Sequence, residues 1–176
     1  VVPLISRLTE DAQATGAVNV ISCEGNKLIG HNTDVAGFKT ALTKLVGRQK
    51  MPRQAVVLGA GGAARSVVYS LITDGFQRIV VFNRHLHRGE GLVRHFAKSA
   101  SHMDLRAMPW HESVLEAEIS QTKVLINAKS SGVTPAEHPT PAELPLPCPM
   151  VRDQICDPPL TARPTAAGPR QANPSD

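Results

Sequence analysis

Aromatic side chains are scarce: they make up 3% of the 176 residues, with a single tryptophan, one tyrosine and four phenylalanines. A basic stripe interleaved with aromatics, which nucleic-acid binding commonly uses, is absent, so no nucleic-acid partner is expected. Long apolar runs are missing too. The longest, such as AVVL and VLINA, fall far short of the roughly 20 residues a helix needs to cross a bilayer. No basic-plus-apolar leader opens the sequence, and the expected location is the cytoplasm, with no membrane partner. The three cysteines, Cys23, Cys148 and Cys156, are odd in number, widely separated and without CxxC spacing, which disfavours both a disulfide framework and a zinc site. The seven histidines lack metal-ligand spacing as well, so no metal is expected.

What is present has the make-up of an ordinary globular protein, 41% hydrophobic and 19% charged. The length suits one domain, or one whole domain with a fragment of another. The formal charge of +4 is spread along the chain among acidic residues, and a phosphorylated cofactor satisfies such an excess as well as nucleic acid does.

Residues 17–23 and 26–29 are β-branched and apolar around the turn-forming Glu24-Gly25-Asn26, which predicts a hairpin. Asn32-Thr33-Asp34 supplies capping residues ahead of Val35, Phe38, Leu42 and Leu45, spaced to line one face of a helix that stops at Gly47. After Pro52 the pattern alternates: a strand over 54–58, a glycine-rich turn, a helix ending at Gly75, a strand over 78–82, another helix, and a strand over 122–126. The first of those helices carries Ala64, Val67, Val68, Leu71 and Ile72, a stripe that must pack on a sheet. Strands interleaved with helices imply parallel βαβ units. Eleven of the 14 prolines fall in 133–176, where an irregular or partly disordered tail is expected.

The strand Ala55-Val56-Val57-Leu58 runs directly into Gly59-Ala60-Gly61-Gly62-Ala63-Ala64, a GxGxxA arrangement that opens a helix. Glycines permit the tight turn and let a pyrophosphate approach the backbone, and the helix N-terminus presents free N–H groups and a positive dipole end to it. A bare glycine pattern also fits a structural turn; the strand before it and the helix after it favour the dinucleotide site. About 20 residues on, where an NAD site usually carries Asp or Glu, stand Asn83 and Arg84, with Arg88 one helical turn later. Guanidinium groups pair bidentately with phosphate, so the choice favours NADP over NAD. The alternative is that both arginines are solvated surface charges.

Four segments in order, GAVNV (16–20), GHNTDVAGF (30–38), GAGGAAR (59–65) with NRHLHR (83–88), and INAKSSG (126–132), resemble the shikimate dehydrogenase family over roughly residues 1–132. The resemblance implies NADPH-dependent reduction of 3-dehydroshikimate to shikimate, in the route to chorismate and the aromatic amino acids. It implies a Rossmann-like doubly wound parallel α/β sheet, preceded by the C-terminal edge of an α/β substrate-binding domain. Residues 1–50 would belong to that substrate domain, 51–160 to the NADP-binding domain and 161–176 to an irregular tail. Asn19 and Asp34 would contact substrate, Asp34 as the catalytic partner of a lysine that protonates the carbonyl oxygen. Read without the resemblance, Asp34 is a helix N-cap. Gly59, Ala60, Gly61, Gly62, Ala63, Asn83, Arg84 and Arg88 would hold the cofactor, with Asn127 and Ser130 lining the nicotinamide side.

The chain also departs from the family. The family's Ser-x-Ser motif and its Pro-His-Lys segment, which carries the lysine, stand upstream of the residues matched here, and neither Lys44 on its helix nor Lys50 in a linker is a convincing substitute. Lys129 replaces the usual Thr, and in Asp153-x-x-Cys156-x-Pro158 a cysteine replaces a substrate-contacting Tyr. The expectation is a truncated copy whose activity alone is in question. A non-catalytic sensor of NADP or of a pathway metabolite is the alternative. A glutamyl-tRNA reductase-like domain shares the glycine loop and the Asn-Arg pair but leaves GAVN and NTD-x-x-GF unexplained.

Overall fold

The computed structural model describes residues 4–129 and, beyond them, the strand backbones of 150–153 and 172–173. The chain opens with a small sheet. Strands β1 (Arg7–Leu8), β2 (Val20–Glu24) and β3 (Lys27–His31) lie in the order β1-β3-β2, and helix α1 (Glu10–Thr15) follows β1. The hairpin forms as expected: Glu24 pairs with Lys27 in the antiparallel β2–β3 ladder, leaving Gly25-Asn26 as the turn. Its first strand starts at Val20 rather than at 17, because Gly16–Asn19 is the link from α1 and closes with the Asn19 N–H donating to the His31 carbonyl at 3.1 Å.

Helix α2 (Asp34–Val46) buries Val35, Phe38, Leu42 and Val46. Phe38, Leu42 and Val46 share a core with α3 (Gly62–Thr73). The second sheet contains β4 (Gln54–Leu58), β5 (Arg78–Asn83), β6 (Asp104–Pro109), β7 (Val124–Asn127), β8 (Met150–Asp153) and β9 (Ala172–Asn173) in the order β6-β5-β4-β7-β8-β9. Every pairing in it is parallel. Counted from β4, this is the 3-2-1-4-5-6 order of the Rossmann fold.

Central strands in such a sheet must be apolar on both faces, and β4 follows that rule residue by residue. Ala55 and Val57 pack with Ile79, Val81, Val124 and Ile126 under α3 and α4 (Leu86–Phe96). Val56 and Leu58 pack with Val80, Phe82 and Leu125 under Leu115 and Ile119 of α5 (Glu112–Gln121). The two faces are thus covered by different helices, and truncating a wholly buried Leu71 to Ala costs roughly 2–5 kcal/mol. Helix α3 stops where Gly75 takes φ 80°. The Gly75 N–H bonds the Ile72 carbonyl and the Phe76 N–H that of Leu71, which closes the helix in a Schellman motif.

Three expectations change. The strand placed at 122–126 begins at Val124: Thr122 caps the C-terminus of α5, and its hydroxyl donates to the Gln54 carbonyl at 3.0 Å. Strand β6 and helix α5, which the sequence pattern did not separate, fill the interval before it. Within the stretch expected to be irregular, Met150–Asp153 and Ala172–Asn173 extend the sheet by two parallel strands, because backbone pairing at a sheet edge needs no periodic side-chain pattern. Asp153 ends β8, whereas Cys156 and Pro158 lie outside the described residues. Among the described residues, no helix is long and apolar enough to cross a membrane.

Candidate functional site

The chain passes from β4 to β5 and β6 on one side, then to β7 on the other, so the strand order reverses between β4 and β7. Ligands of such sheets bind outside the carboxyl ends of the strands at that reversal. Here β4 leads into Gly59, whose N–H bonds the Phe82 carbonyl at 2.8 Å, while the Ala128 N–H bonds the Leu58 carbonyl at 2.8 Å. Gly59 has φ 111°, and a Cβ there would lie 2.7 Å from the Ala128 oxygen and 3.1 Å from the Lys129 nitrogen. Only glycine fits.

Gly61 is the opposite case. A Cβ on it would meet nothing within 4 Å, and one on Gly62 would touch only the Ala17 methyl at 3.7 Å. Gly61 caps α3 in an extended conformation with no side-chain cap bond. The N–H groups of the first helical turn, from Gly62 onward, therefore have no acceptor within the helix and lie at the positive end of its dipole. Ala60 and Ala63 are half-buried beside the opening, and Ala64 is wholly buried against the sheet. An uncapped helix N-terminus opened by two glycines whose Cβ positions are clear of close neighbours is the kind of cradle that suits a diphosphate.

At the end of β5, adjacent to β4, the Asn83 side-chain amide donates to the His85 carbonyl at 2.9 Å and shapes the turn into α4. Arg84 and Arg88, the latter in the first turn of α4, are exposed. Asn127 ends β7, buried, with its side-chain oxygen accepting the Lys129 N–H at 3.3 Å. Ser130 lies outside the described residues.

Asn19 and Asp34 meet. The Asn19 amide donates to Asp34 Oδ1 at 2.8 Å and to Thr33 Oγ1 at 2.9 Å, and its oxygen accepts the Thr33 N–H at 3.0 Å. Reading Asp34 as the helix N-cap is thereby corrected: Thr33 is the N-cap, without a side-chain cap bond, and Asp34 is the first helical residue. Its own N–H is held by Asn32 Oδ1 at 3.1 Å.

Asn32 also binds across the molecule. Buried, its amide nitrogen lies 2.9 Å from Ser66 Oγ, 3.0 Å from Thr15 Oγ1 and 3.1 Å from the Ala17 carbonyl. Ser66 sits one turn into α3, so a single side chain joins the Asp34 segment to the helix behind the cradle. Arg65 Nη1 and His95 Nε2 lie 3.2 Å and 2.8 Å from the Thr15 and Ala14 carbonyls at the end of α1. Glu10 is the exposed first residue of α1. His31 Nε2 contacts Ser22 Oγ at 2.8 Å across the hairpin.

Among the described residues no lysine or arginine forms an ion pair with Asp34. Lys44 sits in the last turn of α2, ten residues and so about 15 Å along the axis from Asp34. Lys39 pairs with Asp74 at 3.6 Å. No cluster of three or more His, Cys, Asp or Glu able to hold a metal occurs among the described residues.

Two side chains at the crevice were not assigned a role from the sequence. Lys129 places Nζ 4.0 Å from the centroid of the Trp110 ring. Burial pushes its pKa down to about 8, and the positive charge of Arg84 pushes in the same direction. The sequence signal for Lys129 was its departure from Thr; Trp110, alone after a proline, carried none.

Known proteins match this arrangement. The model of the shikimate/quinate 5-dehydrogenase family matches residues 41–137. The shikimate dehydrogenase (NADP(+)) of Geobacter metallireducens is 38% identical over 133 residues, covering 76% of this chain and 46% of that protein. The shikimate 5-dehydrogenase of Thermus thermophilus, solved with NADP(H) and shikimate, superposes with a TM-score of 0.75 at 30% identity, over 99% of this chain and 62% of that one. The quinate dehydrogenase of Corynebacterium glutamicum, solved with NAD, gives 0.76 at 26% identity, over 94% and 58%. The chain spans about half the length of the curated relatives it matches. With more than half of its own length matched, and with the parallel sheet and glycine cradle in place, the chain belongs to the shikimate/quinate 5-dehydrogenase family.

Proposed function

We propose that this chain carries the cofactor site and one wall of the substrate site of an NADP-dependent shikimate dehydrogenase, reducing 3-dehydroshikimate to shikimate. The observation that carries the reading is the cradle: uncapped N–H groups at the start of α3, beside a Gly61 whose Cβ position is open. Residues 51–160 supply the cofactor side and residues 1–50 the substrate side. The relatives with NADP in their names or bound in their structures support this choice of cofactor. A cytoplasmic location follows from the same reading.

When bound, the nicotinamide supplies a hydride to the ketone carbon. The chain's own residues then have three tasks. The α3 N-terminus and Gly59–Ala63 hold the diphosphate, and Arg84 and Arg88 offer guanidinium groups to a ribose phosphate, each charge-assisted contact contributing on the order of 1.5–3 kcal/mol. Asn127, with Ser130, lines the nicotinamide side. Asp34, kept in place by Asn19, accepts a hydrogen bond from a ring hydroxyl and orients the ammonium that protonates the carbonyl oxygen. No described lysine occupies that position, so this chain is expected to bind NADPH without turning substrate over.

The test is a titration with NADPH and NADH together with shikimate-dependent NADP reduction, on this chain and on a form extended upstream. Tighter NADPH binding and turnover by the extended form alone are expected. Equal affinity for the two dinucleotides overturns the NADP assignment. Turnover by the 176-residue chain overturns the missing-acid argument, and binding without turnover in either form supports a sensor instead.

A further inference from the structure

Lys129 leaves the carboxyl end of β7 with its backbone nitrogen against Gly59, yet its ammonium rests on Trp110, the residue that follows β6. In the order β6-β5-β4-β7 the two side chains, reaching toward each other, together span the ends of the two strands that carry Gly59 and Arg84. We propose that Lys129 and Trp110 form a clasp that reads the ribose phosphate of NADP, the ammonium leaving the indole face to join Arg84 on the phosphate.

The electrostatics favour an incoming dianion. Lys129 is partly buried, and among the described residues it makes no ion pair with a carboxylate. Among the described residues it meets an aromatic face, which offsets only part of the desolvation, and the charge of Arg84, which repels it. Two cations with no carboxylate partner for the ammonium among the described residues are stabilised by a doubly charged phosphate and not by a neutral ribose hydroxyl, so the pair discriminates between NADP and NAD. The lowered pKa of the ammonium has the same cause, burial beside a like charge. A phosphate reverses that cause by supplying the missing counter-charge. Threonine in the same place has neither the reach nor the charge for this role.

The inference rests on the cofactor reading above, and its experiment separates the two. Trp110 is the sole tryptophan, so emission excited selectively at the indole comes from this side chain alone. The chain and its Lys129→Met and Lys129→Gln variants are titrated with NADPH, NADH, 2′-AMP and 5′-AMP. The expected result is a loss of about tenfold or more in NADPH and 2′-AMP affinity in both variants, equivalent to one charge-assisted contact. NADH and 5′-AMP affinities stay within about twofold, and the Trp110 emission change that 2′-AMP causes in the unsubstituted chain disappears in the variants. Equal losses for NADPH and NADH place Lys129 on the diphosphate and overturn the clasp, as do variants that keep their NADPH preference. A parent chain that binds neither dinucleotide refutes the cofactor reading itself.

Discussion

Gly59 and Ala128 are in backbone contact: the Cβ that glycine lacks would fall 2.7 Å from the Ala128 carbonyl oxygen. The phosphate loop and the loop after β7 are therefore packed as one surface. Gly59→Ala adds strain at φ 111° to that clash and is expected to cost about 2–5 kcal/mol in urea unfolding. A loss under about 1 kcal/mol would show that the two loops separate easily.

Gly61→Ala isolates the binding role of the loop. Its φ of −88° suits any residue and its Cβ position is open, so stability should change by less than about 1 kcal/mol. NADPH affinity should nonetheless fall about tenfold or more, because the methyl occupies the space left for the diphosphate. Unchanged affinity in an isothermal titration would mark the glycine turn as purely structural.

Asn32 and Ser66 predict a coupled pair. Asn32→Ala leaves buried groups of Thr15, Ala17 and Ser66, and the Asp34 N–H, short of partners, and should destabilise by roughly 2–3 kcal/mol. Ser66→Ala alone should cost about 1 kcal/mol. A double-mutant cycle should return at least about 0.5 kcal/mol of interaction; strict additivity would refute the contact.

Lys129 predicts a pH dependence of stability. Its pKa is about 8 in the folded chain against 10.5 for an ordinary lysine, so the unfolded chain binds more protons between those values and stability rises with pH there. The destabilisation is fully present below pH 8 and relieved as pH approaches 10.5. Thermal melts of Lys129→Met should lack this rise and should lie above those of the parent near neutral pH. Parallel pH curves for the two would contradict the burial of the ammonium.

The units β4, α3 and β5 were legible because local and global signals agree: an apolar strand, a glycine turn and a stripe ending in Gly75. Strand β6 was not, since Asp104, Arg106 and Pro109 give it the look of a loop, and its chemistry is that of an edge of the sheet. Thr122 reads as the first residue of the strand over 122–126, whereas it is the C-cap of α5 and its hydroxyl donates to the Gln54 carbonyl. The glycine cradle of the site follows from the glycine spacing together with the strand before it and the helix after it. Asn32 looks like a local capping residue, and its partner Ser66 stands 34 residues away, a distance no window of periodicity reaches. Trp110 gains meaning only once β6 and β7 are placed in one sheet.

The Asn32 amide fastens the segment bearing Asp34 to the helix behind the diphosphate cradle. In the proposed reading, the hydride donor and the carbonyl acceptor then have their relative offset set by one short covalent and hydrogen-bonded path, in place before either ligand arrives. In that reading this side of the cleft is the fixed jaw, and closing motion is expected of the wall facing it.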